Sequence, residues 1–186
     1  RKAVSYAVDA NAIVKAAIDG KGGILNAFCS PTYGDYQKDI WENRDYFSLN
    51  VDTAKDYVSQ SSYNNEKLVI AYETSEQKQK IAQVIQAELA QAGIDSEIVN
   101  YDTALFDSYK YDPAQWDILI DQKGSANGFV TFPWGLCFAP GAFELGTANF
   151  IQDDELVRLF NEACGADTHS DETVQAFEQY LDDNAY

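Results

Sequence analysis

The clearest hydrophobic pattern lies in the middle of the chain, where an apolar run is followed by helical spacing. Residues 68–72 form a short apolar run typical of a buried strand. Thr74 and Gln77 have the spacing of a capping box, and Gly93 stands where a helix would end. The apolar positions between them are Ile81, Val84, Ile85, Leu89 and Ala92. This pattern predicts a strand followed by a long helix.

Two more strands and a short helix are predicted next. Residues 94–101 alternate, which places Ile94, Ser96, Ile98 and Asn100 on one face of a second strand. Residues 103–109 are expected to form a short helix, and residues 116–120 a third strand after the break at Pro113. Strand, helix, strand, helix, strand is the order of an α/β unit, and a helical crossover makes the first two strands parallel.

Helical patterns flank this core on both sides. Residues 1–20 predict two helices, with Asp9 as the N-cap of the second and Gly20 as its end. Residues 51–59 predict a short helix capped by Asn50 or Asp52. Two helices are expected near the end of the chain, the last of them capped by Ser170. Their apolar positions are Leu156, Leu159, Phe160 and Ala163, then Val174, Phe177 and Leu181.

Two long segments, residues 21–47 and 124–150, lack helical or strand periodicity and are rich in aromatic residues. Long irregular segments in a compact domain are usually functional, and ligands gather at the carboxyl ends of strands in open α/β sheets. The alternative is that the rings simply pack over the ends of the sheet. The residues predicted to bind ligand are Asn127, Phe129, Thr131, Trp134, Tyr33 and Tyr36.

Composition narrows the class of partner. The chain has 186 residues and a formal net charge of −17, which argues against binding to nucleic acid or an anionic membrane surface. Hydrophobic residues make up 46% of the sequence, so the chain can bury a core and disorder is not expected. No run approaches the roughly 20 apolar residues that span a bilayer. The chain begins at Arg1 and has no methionine, so we expect it to be a piece of a longer protein.

The sequence offers little support for catalysis, metal binding or a cofactor. Cys29, Cys137 and Cys164 have long spacings, and we expect them to be buried reduced cysteines rather than a disulfide framework. His169 is the single histidine and is expected in a surface loop. Together, Cys164 and His169 would supply only half of a metal site. No catalytic residue, metal ligand or cofactor is therefore predicted.

Four stretches, in this order, resemble one known family: residues 2–9 followed by 12–14, residues 50–55, residues 81–94, and Tyr109 with residues 116–118. Together they resemble the carboxy-terminal lobe of extracytoplasmic solute-binding proteins that serve oligopeptide- and nickel-type ABC importers. The resemblance covers most of the chain. It implies one lobe of a type II periplasmic-binding-protein-like fold, an α/β lobe with a mixed sheet flanked by helices. Residues 1–186 would form this single lobe, with the α/β core at about 66–122.

The resemblance also implies a function. Such proteins are monomers outside the cytoplasm, periplasmic or anchored to the membrane, that clamp a solute between two lobes and deliver it to an ABC permease without chemical turnover. In peptide-binding members an aspartate shortly after the third strand holds the amino group of the peptide. Residues 123–129 contain no acid, and Asn127 is the nearest polar substitute. From the resemblance as a whole, the expected function is capture of a small solute, with a peptide-like one favoured, for an ABC importer.

Two other functions stay open on the sequence alone. One is an extracytoplasmic sensor or chaperone-like module on the same fold, and the other is a hydrolase that uses carboxylates in the same cleft. Stabilisation by a ligand that is not converted would separate binding from catalysis.

Overall fold

The computed structural model describes residues 1–25, 32, 34, 36–43, 48–122, 151 and 153–186. The chain divides into two compact units. Unit 1 comprises Arg1–Ile24 and Asp45–Gln122, and unit 2 comprises Leu25–Arg44 and Lys123–Tyr186. The described helices, in chain order, are α1 (Lys2–Ala7), α2 (Ala10–Ile18), α3 (Lys38–Trp41), α4 (Val51–Ser59), α5 (Glu76–Gln91), α6 (Thr103–Tyr109), α7 (Asp154–Cys164) and α8 (Asp171–Asn184).

Unit 1 contains a three-stranded sheet, formed by β1 (Leu68–Glu73), β2 (Ser96–Tyr101) and β3 (Ile118–Ile120). The strand order is β2-β1-β3, and β1 pairs parallel with both neighbours. The predicted parallel pairing of the first two strands is confirmed. The third strand is shorter than predicted. Asp117, just before it, is bonded to Val69 of β1 through its backbone N–H at 3.0 Å and through its Oδ2, which accepts from Val69 N at 2.8 Å.

Local capping explains most helix starts in unit 1. The Asp9 carboxylate accepts from Asn11 N at 2.8 Å, and Asn50 Oδ1 accepts from Thr53 N at 3.0 Å, so Asn50 rather than Asp52 caps α4. At the other end of a helix, Gly93 has φ +80°, the left-handed backbone that glycine adopts without strain. The predicted cap of α5 is wrong by one residue, because Ser75 rather than Thr74 begins that helix.

The core of unit 1 lies between α5 and the sheet, with α2 packed on α5 and α1 packed on α4. Small side chains let these elements approach closely. The residues with no solvent exposure are Ala7, Ala54, Ile70, Ala71, Ala82 and Leu89.

The corner between α1 and α2 is fixed to α5 through a carboxylate. Asp9 N donates to Glu88 Oε2 at 2.9 Å. Burial raises the pKa of Glu88, and the nearby Asp9 carboxylate adds to the rise. The rings of Tyr6 and Tyr57 stack at 5.6 Å and 11°, which joins α1 to α4.

The described part of unit 2 is helical. Helices α7 and α8 pack against each other, and α3, which the sequence pattern did not predict, packs on α8. Phe160 and Phe177 meet edge to face with centroids 5.6 Å apart. The buried cluster consists of Ile40, Trp41, Leu156, Leu159, Phe160, Ala163, Val174, Phe177 and Leu181.

One carboxylate ties the start of α7 to the end of α8. Asp153 Oδ1 accepts from Glu155 N and Leu156 N, and Asp153 Oδ2 accepts from the hydroxyls of Tyr180 and Tyr186, both at 2.8 Å. These hydrogen bonds, the one from Leu156 N above all, lower the pKa of Asp153. The hydrogen bond from the Tyr180 hydroxyl to the Asp153 carboxylate raises the pKa of Tyr180 to about 12. We name these three side chains, Asp153, Tyr180 and Tyr186, the Asp153 clasp.

Candidate functional site

The candidate site in unit 1 is the edge of the sheet at which its parallel strands end. Glu73, at the end of the central strand β1, pairs in register with Tyr101 at the end of β2, and Tyr72 pairs with Ile120 at the end of β3. Because the order is β2-β1-β3, the topological switch point lies between β1 and β3. Ligands of open α/β sheets bind outside the carboxyl ends of strands at such a point. We call this the carboxyl edge.

The Glu73 carboxylate joins two helices at this edge. Its Oε1 accepts from the Thr103 hydroxyl at 2.8 Å, and its Oε2 lies 3.2 Å from Lys78 Nζ. Thr103 begins α6 and Lys78 lies in the first turn of α5. The hydrogen bond from Thr103, then that from Lys78, holds the pKa of Glu73 below its usual range. Glu73 is therefore ionised at neutral pH and bonded on both oxygens.

The turn after β1 is bonded to β2 by a second set of contacts. Thr74 N and Thr74 Oγ1 both donate to the Tyr101 carbonyl, at 2.8 and 3.0 Å. Asn100 Nδ2 donates to Thr74 Oγ1 at 3.0 Å. Thr74, which was predicted to cap α5, therefore donates its hydroxyl to Tyr101 of β2 instead, and Ser75 caps the helix one residue later.

Two ammonium groups lie against one buried ring beside the carboxyl edge. Lys78 Nζ is 5.2 Å and Lys110 Nζ 5.7 Å from the centre of the Phe106 ring, which is 3% exposed. Lys110 also pairs with Asp107 at 2.7 Å, and this hydrogen bond raises the pKa of Lys110. The cation–π contact of Lys78 joins the start of α5 to α6, whereas that of Lys110 lies within α6 and its C-cap.

Two more acids lie at the ends of strands. Asp102, directly after β2, caps α6 by accepting from Leu105 N at 3.0 Å. Asp121, directly after β3, accepts from Gln122 N at 2.8 Å. Together with Glu73, which is paired with Lys78, these residues place three carboxylates at the carboxyl edge.

An open pocket of about 440 Å³ lies in unit 1 between the end of α2 and the first turn of α5. Its lining consists of Ala17, Ile18, Ser75, Glu76, Gln77 and Lys80. The exposed ion pair between Lys80 and Glu76, with 3.0 Å between Nζ and Oε1, lies on this wall.

Most residues predicted to bind ligand lie outside the described residues, namely Asn127, Phe129, Thr131, Trp134 and Tyr33. Tyr36 is described, and it packs half-buried against the helical cluster of unit 2. Its role in binding remains a prediction. Glu73, Lys78 and Thr103 are not among the residues predicted from the sequence to form a site. An acid at the end of a strand, five residues before a lysine on the next helix, is the signal that could have drawn attention to them.

Of the three cysteines and the single histidine, the structure describes Cys164 and His169. The prediction of a buried cysteine is wrong for Cys164, which is exposed at the end of α7, whereas Cys29 and Cys137 lie outside the described residues. His169 is exposed as predicted, with its Nδ1 2.6 Å from the Ala163 carbonyl. Among the described residues, no three potential ligands come together as a metal site. Within the same residues, no helix is both long and apolar enough to cross a membrane.

Solved structures resemble the chain over nearly its whole length. AppA from Clostridium difficile matches with a TM-score of 0.80 and 23% identity, over 99% of this chain and 38% of that one. DppA from Helicobacter pylori, in complex with the peptide STSA, matches with a TM-score of 0.81 and 17% identity, over 99% of this chain and 36% of that one. An oligopeptide-binding protein from Thermotoga maritima, with bound mannohexaose, matches with a TM-score of 0.78 and 18% identity, over 97% of this chain and 38% of that one. At these identities the likeness shows the fold, and the chain spans well under half of each structure.

The comparison with protein families gives the assignment. No curated protein matches the chain by sequence. The sequence model described as bacterial extracellular solute-binding proteins, family 5, middle region, matches residues 1–134. This match takes in all of unit 1 and agrees with the α/β fold of the solute-binding structures above. The chain therefore belongs to the bacterial extracellular solute-binding proteins of family 5.

Proposed function

We propose that this chain is a lobe of the substrate-binding component of an ABC importer, and that the whole protein captures a small peptide-like solute between two lobes. The observation that carries the proposal is the family match over residues 1–134. The carboxyl edge supports it, because the β2-β1-β3 order creates a switch point of the kind at which α/β sheets bind ligands. The partners would be the solute and a membrane permease, the protein acting as a monomer, periplasmic or anchored at the cell surface.

The proposed ligand class rests on the relatives. One neighbour holds the peptide STSA and another holds mannohexaose, so the same fold accepts both a peptide and an oligosaccharide. We favour a peptide because Asp102 and Asp121, the acids that directly follow β2 and β3, suit an ammonium group, whereas a neutral sugar gains nothing from their charge.

A titration of the full-length protein tests the proposal. We expect native mass spectrometry to show ligand retained from expression, and calorimetry with tetra-alanine to show saturable binding that leaves the peptide intact. Mannohexaose is the matched alternative. Binding of mannohexaose alone would replace the peptide by a sugar, and hydrolysis of either compound would favour an enzyme over a binding protein. If the protein retained no ligand and bound neither compound, the proposal would be overturned.

The proposed ligand-binding side chains are Asn127, Phe129, Thr131, Trp134, Tyr33 and Tyr36. Trp134→Ala in the full-length protein is expected to weaken binding by about 2 kcal/mol or more, as for an anchoring aromatic residue. Its free energy of unfolding should fall by much less than the roughly 3–5 kcal/mol of a core tryptophan. Trp116→Phe is the control, because Trp116 precedes β3 and lies away from the carboxyl edge. A large loss of stability with unchanged affinity would show that Trp134 belongs to a core.

A further inference from the structure

The carboxylate of Glu73 is the best-connected side chain of the carboxyl edge. It joins the last residue of the central strand to the first residue of α6 through Thr103, and to the first turn of α5 through Lys78. The side chain of Glu73 is 34% exposed and that of Lys78 only 15%. The contact is therefore half-buried, and water screens it less than it screens a surface ion pair.

Both oxygens of Glu73 already accept strong hydrogen bonds within the protein. One partner is a hydroxyl at 2.8 Å and the other an ammonium group at 3.2 Å, which also lies 5.2 Å from the Phe106 ring. A carboxylate can accept about four hydrogen bonds, so an ammonium group of a ligand would have to share Glu73 with the positively charged Lys78, which repels it. Glu73 is therefore less suited to bind a cationic ligand than a carboxylate with no adjacent ammonium group.

We propose that Glu73 is a positioning residue: it fixes the first turns of α5 and α6 relative to the end of β1, and so sets the shape of the carboxyl edge that meets the solute. This rests on the proposed function for its link to ligand binding. The geometry supports it, because α5 and α6 are connected here through one carboxylate and through the Lys78–Phe106 contact that it orients. The pKa of Glu73, held low by Thr103 and Lys78, keeps the carboxylate ionised under neutral conditions.

The test is Glu73→Gln in the full-length protein. The amide retains one acceptor for Thr103, but its NH₂ group meets the Lys78 ammonium donor to donor. We expect hydrogen exchange of the amides in the first turns of both α5 and α6 to become about tenfold faster, the size expected for loss of one charged hydrogen bond. Affinity for tetra-alanine should fall by about tenfold for the same reason.

Two further variants separate positioning from other roles. Asp107→Asn removes a carboxylate–lysine pair of similar kind that stays within α6 and its end, so it should leave exchange in α5 and the affinity unchanged. Glu73→Gln combined with Lys78→Gln replaces the ion pair by two amides that can bond to each other. This double variant should recover most of the lost affinity.

The outcomes decide between the two roles of Glu73. If Glu73→Gln weakens tetra-alanine binding while exchange in α5 and α6 stays at the wild-type rate without ligand, Glu73 binds the solute itself and the positioning role is overturned. The positioning role is also overturned if Asp107→Asn speeds exchange in α5 equally. If the wild-type protein does not bind tetra-alanine, the proposed peptide function fails, and the exchange rates of the unliganded variants still decide whether Glu73 positions the two helices.

Discussion

The two units bury their cores with different kinds of side chain. Unit 1 places fully buried alanines where helices meet each other and the sheet, and these are Ala7, Ala54, Ala71 and Ala82. The described helices of unit 2 also bury one alanine, Ala163, but they meet chiefly through larger side chains, with Phe177 fully buried and Trp41 only 2% exposed. Small residues let backbones pack closely, so a larger side chain does not fit between them. Rings fill a wider space, and loss of a ring leaves a cavity that the surrounding residues fill only in part. The two cores should therefore respond oppositely to changes of side-chain volume.

The polar contacts of the two units differ in how they are distributed. In unit 1 they lie on separate side chains, such as Glu73 with Thr103 and Asp117 with Val69. In the described part of unit 2, the Asp153 clasp gathers its four donors on one carboxylate at a helix start. Unit 1 thus distributes its polar links over the sheet edge, while the clasp makes two helix ends depend on a single ionised group.

The largest effect is expected from removing a ring in unit 2. Phe177→Ala should lower the free energy of unfolding by about 3–5 kcal/mol, because Phe177 is fully buried and packs edge to face on Phe160. Urea unfolding of the chain measures the loss. Gln175→Ala, at an exposed position of the same helix, should change stability by at most about 0.5 kcal/mol. Similar losses in both variants would mean that the rings do not support this core.

The opposite change should damage unit 1. Ala82→Leu adds three carbon atoms where α5 packs with no exposed surface, and overpacking of this kind costs about 1–3 kcal/mol. Ala87→Leu is the matched control, since Ala87 is exposed on the same helix. If Ala82→Leu were tolerated as well as Ala87→Leu, the close packing of unit 1 would be wrong and the contrast between the two cores would disappear.

The next effect depends on pH. The pKa of Asp153 is lowered in the folded protein, so the native state holds its proton less strongly than the unfolded state. The clasp therefore stabilises fully above the ordinary aspartate pKa of about 3.9, and its contribution is lost as pH falls through the lower folded value. Asp153→Asn keeps an oxygen that can cap the helix, but it should still destabilise at pH 7, because the charge is lost and the two tyrosine hydroxyls lose their acceptor oxygen. The deficit should shrink in acid, as followed by urea unfolding at several pH values.

A carboxylate of unit 1 provides the control of opposite sign. Burial raises the pKa of Glu88, so this group stabilises most below the ordinary glutamate pKa of about 4.3 and loses that contribution as pH rises through its folded value. Glu88→Gln should therefore be neutral or stabilising at pH 7 and match the wild type in acid.

The ultraviolet titration of Tyr180, whose pKa is about 12, should move toward the ordinary value in Asp153→Asn only. Parallel pH profiles for both variants would contradict the assigned roles.

Local patterns predicted most of the elements and fewer of their tertiary links. The bounds of α4 and α6, the start of β1 and the cap Ser170 follow from spacing and capping chemistry within a few residues, and the structure agrees. The ends of these helices and this strand are set by residues close to them in the chain, so local sequence patterns indicate them. The family resemblance, read from ordered short stretches, is confirmed by the match to residues 1–134.

Specific hydrogen bonds explain three details that the sequence pattern did not predict. The cap of α5 moved from Thr74 to Ser75 because the hydroxyl of Thr74 bonds to Tyr101 on another strand. Ile94 was predicted to open β2, yet its N–H donates to the Leu89 carbonyl and closes the preceding helix. The Glu73 contacts were missed because residue 103 comes to residue 73 only when the sheet forms. Two of these details depend on hydrogen bonds between residues distant in sequence, and the third depends on how α5 ends. The spacing of apolar residues indicates neither.

The smallest effect compares one helix cap from each unit. In unit 2, Ser170 and Thr173 cap reciprocally: Ser170 N donates to Thr173 Oγ1 at 2.9 Å, and Thr173 N donates to Ser170 Oγ at 3.3 Å. Ser170→Ala removes the second bond and should cost about 1 kcal/mol.

Asn50→Ala in unit 1 should cost about the same, because Asn50 Oδ1 is the side-chain acceptor for Thr53 N, while the bond from Asn50 N to the Tyr6 carbonyl survives the substitution. Hydrogen exchange resolved by segment distinguishes the two sites. Ser170→Ala should speed exchange in the first turn of α8 and leave α4 unchanged, and Asn50→Ala should do the reverse. Glycine at either position should cost only a few tenths of that value, since glycine adopts the extended cap backbone and leaves its N–H groups open to water. Equal losses for alanine and glycine would mean that the cap side chains pack rather than accept hydrogen bonds, and both units would then depend on volume at their helix ends as they do in their cores.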